Sequence, residues 1–131
     1  MSAREAFDRI YVEICRAREW IGQRDQVEVK LESGRRQVVH LQFFEYEGRE
    51  MVRLHTVIGS TERIRPTRLH FALELNYALP HGAMAVKDEQ LIMVDTLILA
   101  DADPGELEAA LAYLATTADY YEASMFGPDA H

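Results

Sequence analysis

The sequence predicts an α+β domain with an antiparallel five-stranded sheet, in the element order α-β-β-β-α-β-β-α. Three observations lead there. Apolar residues recur at helical spacing near both ends of the chain and once in the middle, and period-two patterning fills residues 26–58 and 83–98. Short polar turns, most of them bearing Gly or Pro, separate these stretches. A chain of 131 residues with no visible linker or repeat reads as one domain, residues 1–131, able to bury roughly two-thirds of its unfolded surface.

In the first stretch Phe7, Ile10, Tyr11, Ile14, Ala17 and Ile21 form one helical face, with Gly22 suited to the C-terminal cap and Gln23-Arg24-Asp25 as a polar link. Val27, Val29 and Leu31 then alternate with Gln26, Glu28 and Lys30. A three-residue loop, Glu32-Ser33-Gly34, puts these valines on the same face as Val39, Leu41 and Phe43 of the next strand, whereas a two-residue turn would not. A turn at Glu47-Gly48 sets Phe43 opposite Val52, Leu41 opposite Leu54 and His40 opposite His55. One face is then apolar. The other carries His40, Gln42, Phe44, Met51, Arg53, His55 and Val57, a mixture that suits an adaptable protein-binding surface and equally an ordinary solvated sheet face.

Thr67 can cap a central helix that Pro80 stops, and this helix is apolar nearly all round: Leu69, Ala72, Leu73, Asn76 and Tyr77 form one stripe, and Phe71, Leu75 and Leu79 widen it. Asn76 there suits a buried amide bonding to backbone. The following hairpin turns at Asp88-Glu89, with Met84, Val86, Leu91, Met93 and Leu97 on one face and Ala83, Ala85, Ile92, Val94, Thr96 and Ile98 on the other. Each large aliphatic left bare forgoes ~1.5–3 kcal/mol, so both faces need cover. A second copy of the chain would supply it, through an interface of Phe71, Leu75, Leu79, Ile92 and Val94. The last helix opens with Asp103 as cap, Pro104 in the first position and Glu106 completing a capping box, runs along Leu107, Ala110, Leu111, Leu114, Ala118, Tyr121 and Met125, and ends at Gly127-Pro128.

The 14 Lys and Arg against 22 Asp and Glu give a formal charge of -8, which disfavours nucleic acid or an anionic membrane as the main partner. Cys15 is the only cysteine, so no intrachain disulfide forms. The start of the sequence lacks the apolar run of a signal peptide and no stretch is long enough to span a bilayer, so a cytoplasmic protein is expected. Catalytic motifs are missing: His40 and His55 fall short of a zinc ligand set, Asp101 and Asp103 lack the rest of a calcium loop, and Ser60, Thr61, Thr116 and Ser124 stand in no nucleophile setting. No metal, cofactor or enzymatic activity is expected. Arg63, Arg65 and Arg68 crowd one stretch and suit an acidic partner, a neighbouring subunit or a solvated loop.

The stretches A-L-E-L-N-Y-A-L-P-H-G-A-M-A-V at 72–86, L-I-M-V-D-T-L-I-L at 91–99 and D-A-D-P-G-E-L-E-A-A-L-A-Y-L-A-T-T-A-D-Y-Y at 101–121 resemble the YbjN-like family and the related class I type III secretion chaperones. In that family a Leu-Asn pair in the central helix, here Leu75-Asn76, precedes a glycine, here Gly82, then an apolar hairpin and a long terminal helix. The resemblance implies a cofactor-free homodimer that binds an extended segment of another protein, either a secretion chaperone or a YbjN-like regulatory or stress protein. A small hydrolase or metal-dependent enzyme is the alternative from another class. The partner site is expected on the mixed face around Phe44, Met51, His55 and Val57.

Overall fold

The computed structural model describes residues 1–126. Helix α1 (Ala3–Arg18) opens beneath Ser2, whose hydroxyl accepts the Glu5 N–H at 3.1 Å. It closes at Glu19, in the left-handed region at φ 60, not at Gly22. The cause lies just beyond: Trp20 turns into the core, and Gly22 joins a two-residue strand, β1 (Ile21–Gly22), paired with Val27. A Cβ at Gly22 would lie 2.7 Å from Cys15 Sγ, so glycine is needed for close packing and not for a cap. The sheet accordingly has six strands, one more than the five expected. Ile21 is exposed, as is Ala17, and the inward face of α1 is made instead by Phe7, Tyr11, Ile14 and Cys15.

Strands β2 (Gln26–Lys30) and β3 (Arg36–Tyr46) pair with Val27 opposite Val39 across the three-residue loop, where Gly34 takes a φ of 91. Strand β4 (Arg49–Ser60) returns through Glu47 and Gly48, both at positive φ, and sets Leu41 opposite Leu54 and His40 opposite His55. Near its end β4 shifts register between Val57 and Gly59, and the Phe126 ring packs on Gly59, where a Cβ would come within 2.5 Å of it.

Helix α2 (Pro66–Leu75) begins on its proline; Thr67 is the second helical residue and caps nothing. Proline supplies the first-turn φ and has no N–H to leave unpaired, which removes the need for a side-chain cap. A 3-10 turn (Asn76–Ala78) follows, then β5 (Ala83–Lys87) and β6 (Gln90–Ile98), with Met84 opposite Met93. The fully antiparallel order is β1-β2-β3-β4-β6-β5, so α2 carries the chain to the far edge and β6 returns between. Helix α3 (Pro104–Phe126) opens with Asp103 Oδ1 accepting the Glu106 N–H at 2.8 Å. The expected stop at Gly127-Pro128 lies outside the described residues.

One sheet face meets all three helices. Val27, Val39, Val52, Leu54 and Met93 pack there with Phe7 of α1, Ala72 of α2 and Leu107, Leu111 and Leu114 of α3. That face is not wholly apolar, since Thr56 is completely buried on it. Its hydroxyl donates to the Val38 carbonyl at 2.7 Å and accepts from Gln37 Nε2 at 2.8 Å, so no polar atom is orphaned.

Candidate protein-binding site

Strand parity carries Phe44, Met51, His55 and Val57 to the sheet face away from the core. Phe44 and Met51 are direct cross-strand partners, and His55 and Val57 follow along β4. The β4–β6 register then adds Ile98 beside Met51, Val94 beside His55 and Ile92 beside Val57. All four expected partner-binding residues thus share one surface, joined by two that the sequence assigned to a dimer interface. Ile92 is only 3% exposed yet stands outside the main core, flanked on its own face by Val57 and Ala85. The local hairpin pattern shows which residues of β6 share a face, but not that β6 lies against β4.

Two ring contacts order this surface. The Arg53 guanidinium lies 4.3 Å from the Phe44 ring centroid, a cation–π contact worth about 0.5–1 kcal/mol at an exposed site. The His40 and His55 rings stack at 4.8 Å with 21° between planes. Burial, then the neighbouring His40 and Lys87, hold the His55 pKa below its ordinary value, so His55 is neutral at pH 7. The face therefore offers half-buried aliphatic, thioether and aromatic groups that adapt to varied side chains.

The remaining expected interface residues lie elsewhere. Leu75 and Leu79 are partly buried against the core, whereas Phe71 is 55% exposed on α2. The five dimer positions are therefore split between the helix side (Phe71, Leu75, Leu79) and the outer sheet face (Ile92, Val94). Of α2 only Ala72 is fully buried; Leu73, and Tyr77 in the 3-10 turn that follows, also face solvent. Between α2 and α3 a groove of about 280 Å³ is lined by Arg68, Phe71, Leu75, Tyr120, Tyr121 and Met125, among others. Arg68 donates to the Ser124 carbonyl at 3.2 Å and Arg63 lies 5.7 Å from the Phe126 ring, so both hold the end of α3.

Local bonds engage three of the four hydroxyls considered as nucleophiles. Ser60 Oγ accepts the Glu62 N–H, Thr61 Oγ1 donates to the Glu89 carbonyl, and Ser124 Oγ donates to the Tyr121 carbonyl. Among the described residues no three His, Cys, Asp or Glu side chains converge for a metal, and no helix is long and apolar enough to cross a membrane.

No protein-family model and no curated protein matches the chain. Its fold does match solved structures. A chain of the HopA1–SchA chaperone–effector complex superposes with a TM-score of 0.61 at 8% identity, covering 93% of this chain and 98% of that one. A chain of the Yersinia pestis type III secretion chaperone SycH in complex with a stable fragment of YscM2 gives 0.59 at 17% identity, covering 88% and 98%. The fold is that of the type III secretion chaperones.

Proposed function

We propose that the protein is a non-enzymatic, chaperone-like binding module that holds an extended segment of a partner protein on the outer sheet face, in the cytoplasm and without a cofactor. The observation that carries this reading is that face itself: a continuous, half-apolar surface spanning β3, β4 and β6, whose Phe44, Met51, Val57 and Val94 stand, among the described residues, outside the core that the helices cover. Solved structures of the same fold include a chain of a chaperone–effector complex and a chaperone in complex with a stable fragment of YscM2. An extended segment suits a sheet face because its side chains alternate at the spacing of the strands beneath.

The molecule acts as a homodimer in this reading, built on Phe71 and the groove beside it. Helix α2 is basic at its start, with Arg65 and Arg68, and carries Glu74 in its last turn. Two copies crossing antiparallel about a two-fold axis would set the basic end of each against the acidic end of the other. A YbjN-like regulatory or stress role, without secretion, is favoured by the wording of residues 72–121, which carries the family resemblance. Both roles use the same surface.

Replacing Phe44 and Met51 together by Ser tests the reading. The double variant should keep its melting temperature within a few degrees, because neither side chain belongs to the core, and should lose recovery of partner protein from the native host. A large loss of stability, or unchanged recovery, contradicts it.

A further inference from the structure

The acidic excess of the chain is unevenly spread. Register places Glu28, Lys30 and Arg36 of β2 and β3, Arg49 and Arg53 of β4, and Lys87 of β5 on the outer face. Among the described strand positions that register turns outward, five cations thus stand against one carboxylate, in a chain with 14 basic and 22 acidic side chains in all, while Glu45 and Glu50, of the opposite parity, border the Phe44 and Met51 end of the surface. Lys87 is partly neutralised by Asp88 Oδ2 at 2.8 Å, yet its charge still reaches His55. Among the described residues Lys30, Arg36, Arg49 and Arg53 form no ion pair.

Resting on the function proposed above, we infer that the segment held on this face is acidic as well as apolar. Arg36 and Arg49 mark opposite ends of the β3–β4 ribbon, and Arg53 lies between them with its guanidinium over Phe44. From Arg36 to Tyr46, which pairs with Arg49, the strand runs about 33 Å at ~3.3 Å per residue, enough to lie under roughly ten residues of extended chain. Apolar side chains of that segment settle on Met51, Val57 and Val94. Its carboxylates meet Arg53 in the middle and Arg36 and Arg49 at the ends. The charges favour encounter and set direction and register, while the apolar contacts hold the complex.

A single-stranded nucleic acid would also meet cations here, but it needs bare rings on which bases stack. The central rings are already covered: Phe44 by Arg53, and His40 and His55 by each other. The other outward positions around Arg53, namely Gln42, Met51, Val57, Val94 and Thr96, carry no ring, and among the described residues the bare ring that register adds to this face, Tyr46, stands at its rim opposite Arg49.

The test uses two fluorescein-labelled peptides of about twelve residues. One contains Asp, Glu, Leu and Phe in mixed order; in the other every acid is replaced by Lys. Anisotropy is read against the full chain at ~50 mM and ~500 mM salt, with labelled oligothymidine alongside. The acidic peptide should bind about tenfold or more tightly than its Lys counterpart at low salt. The double variant R36E/R53E, with R36Q/R53Q as a milder form should the first not fold, should lose most of that preference with a fall in melting temperature of no more than about a few degrees, from the lost Arg53–Phe44 contact. Raising the salt should shrink the difference to below about threefold. Tighter binding of oligothymidine, or retained acidic preference in the folded variant, overturns the inference. Equal binding of both peptides that F44S/M51S abolishes removes the charge preference and leaves the binding face standing. No binding of either peptide removes both.

Discussion

The Asn76 side chain pairs with the Met84 backbone as a short strand would: its Oδ1 accepts the Met84 N–H at 2.6 Å and its Nδ2 donates to the Met84 carbonyl at 3.0 Å. Met84 lies on β5, the last strand of the sheet, so one amide closes part of an edge that another chain could otherwise extend. It also ties the end of α2 to the hairpin after it. Asn76→Ala removes both bonds and should cost about 2 kcal/mol, at ~1 kcal/mol per bond. Asn76→Asp keeps one bond and sets a carboxylate oxygen against the Met84 carbonyl, so it should be destabilised as well, and less so in acid, where the protonated group donates. Urea unfolding measures both. A cost under about 0.5 kcal/mol for the alanine variant contradicts this account.

Gly82, two residues before Met84, is fixed by a different requirement. Its φ is 63, and a Cβ there would lie 2.7 Å from the Val94 carbonyl oxygen, a backbone atom that cannot swing aside. Gly82→Ala should therefore lower stability by roughly 2 kcal/mol or more, beyond the ~1 kcal/mol of positive φ alone. A thermal melt unchanged within a degree would show that the chain enters β5 by another path.

His55 gives the outer face a pH dependence of known sign. Burial, His40 and Lys87 depress its pKa in the fold, while the unfolded chain returns it to about 6.5. Below that value the unfolded state binds the proton more readily, so this contribution to stability is whole above ~7 and is lost as the pH falls through the depressed folded value. His55→Gln should shrink the drop in melting temperature between about pH 7.5 and pH 5. Equal drops in the two proteins contradict the assignment.

The three expected hairpin registers were legible because a one-residue slip would turn Val27, Val29, Leu41 and Leu54 out of the core or Leu91 and Met93 away from the helices. The Asp103 cap and the backbone role of Asn76 were legible too, each following from local chemistry. Three features were not. Strand β1 depends on Trp20 and the close approach of Gly22 to Cys15, both set by tertiary packing. The start of α2 on Pro66, without a side-chain cap, offered Thr67 as a decoy. Ile92 and Val94 join the partner-binding face only through the pairing of β4 with β6, strands separated by α2 and β5, and no local pattern reports such a pairing.

Phe71, at 55% exposed, and Tyr120, at 65%, flank the groove on the helix side and are expected to lie within the homodimer. Sedimentation at about 10 μM should give twice the chain mass. Phe71→Asp should give a folded monomer, since its ring leaves no cavity in the core and a desolvated, unpaired carboxylate is costly in an interface. A wild-type monomer at this concentration, or a dimer that survives the substitution, contradicts the proposed interface.

The most direct measurement is to titrate 15N-labelled protein with the acidic, apolar peptide and follow the backbone amide resonances. The account predicts shifts concentrated on β3, β4 and β6 around Phe44, Met51, Arg53, His55 and Val94, with the α2–α3 groove unaffected. Shifts confined to Phe71, Leu75 and Tyr120, with the outer face silent, would contradict it.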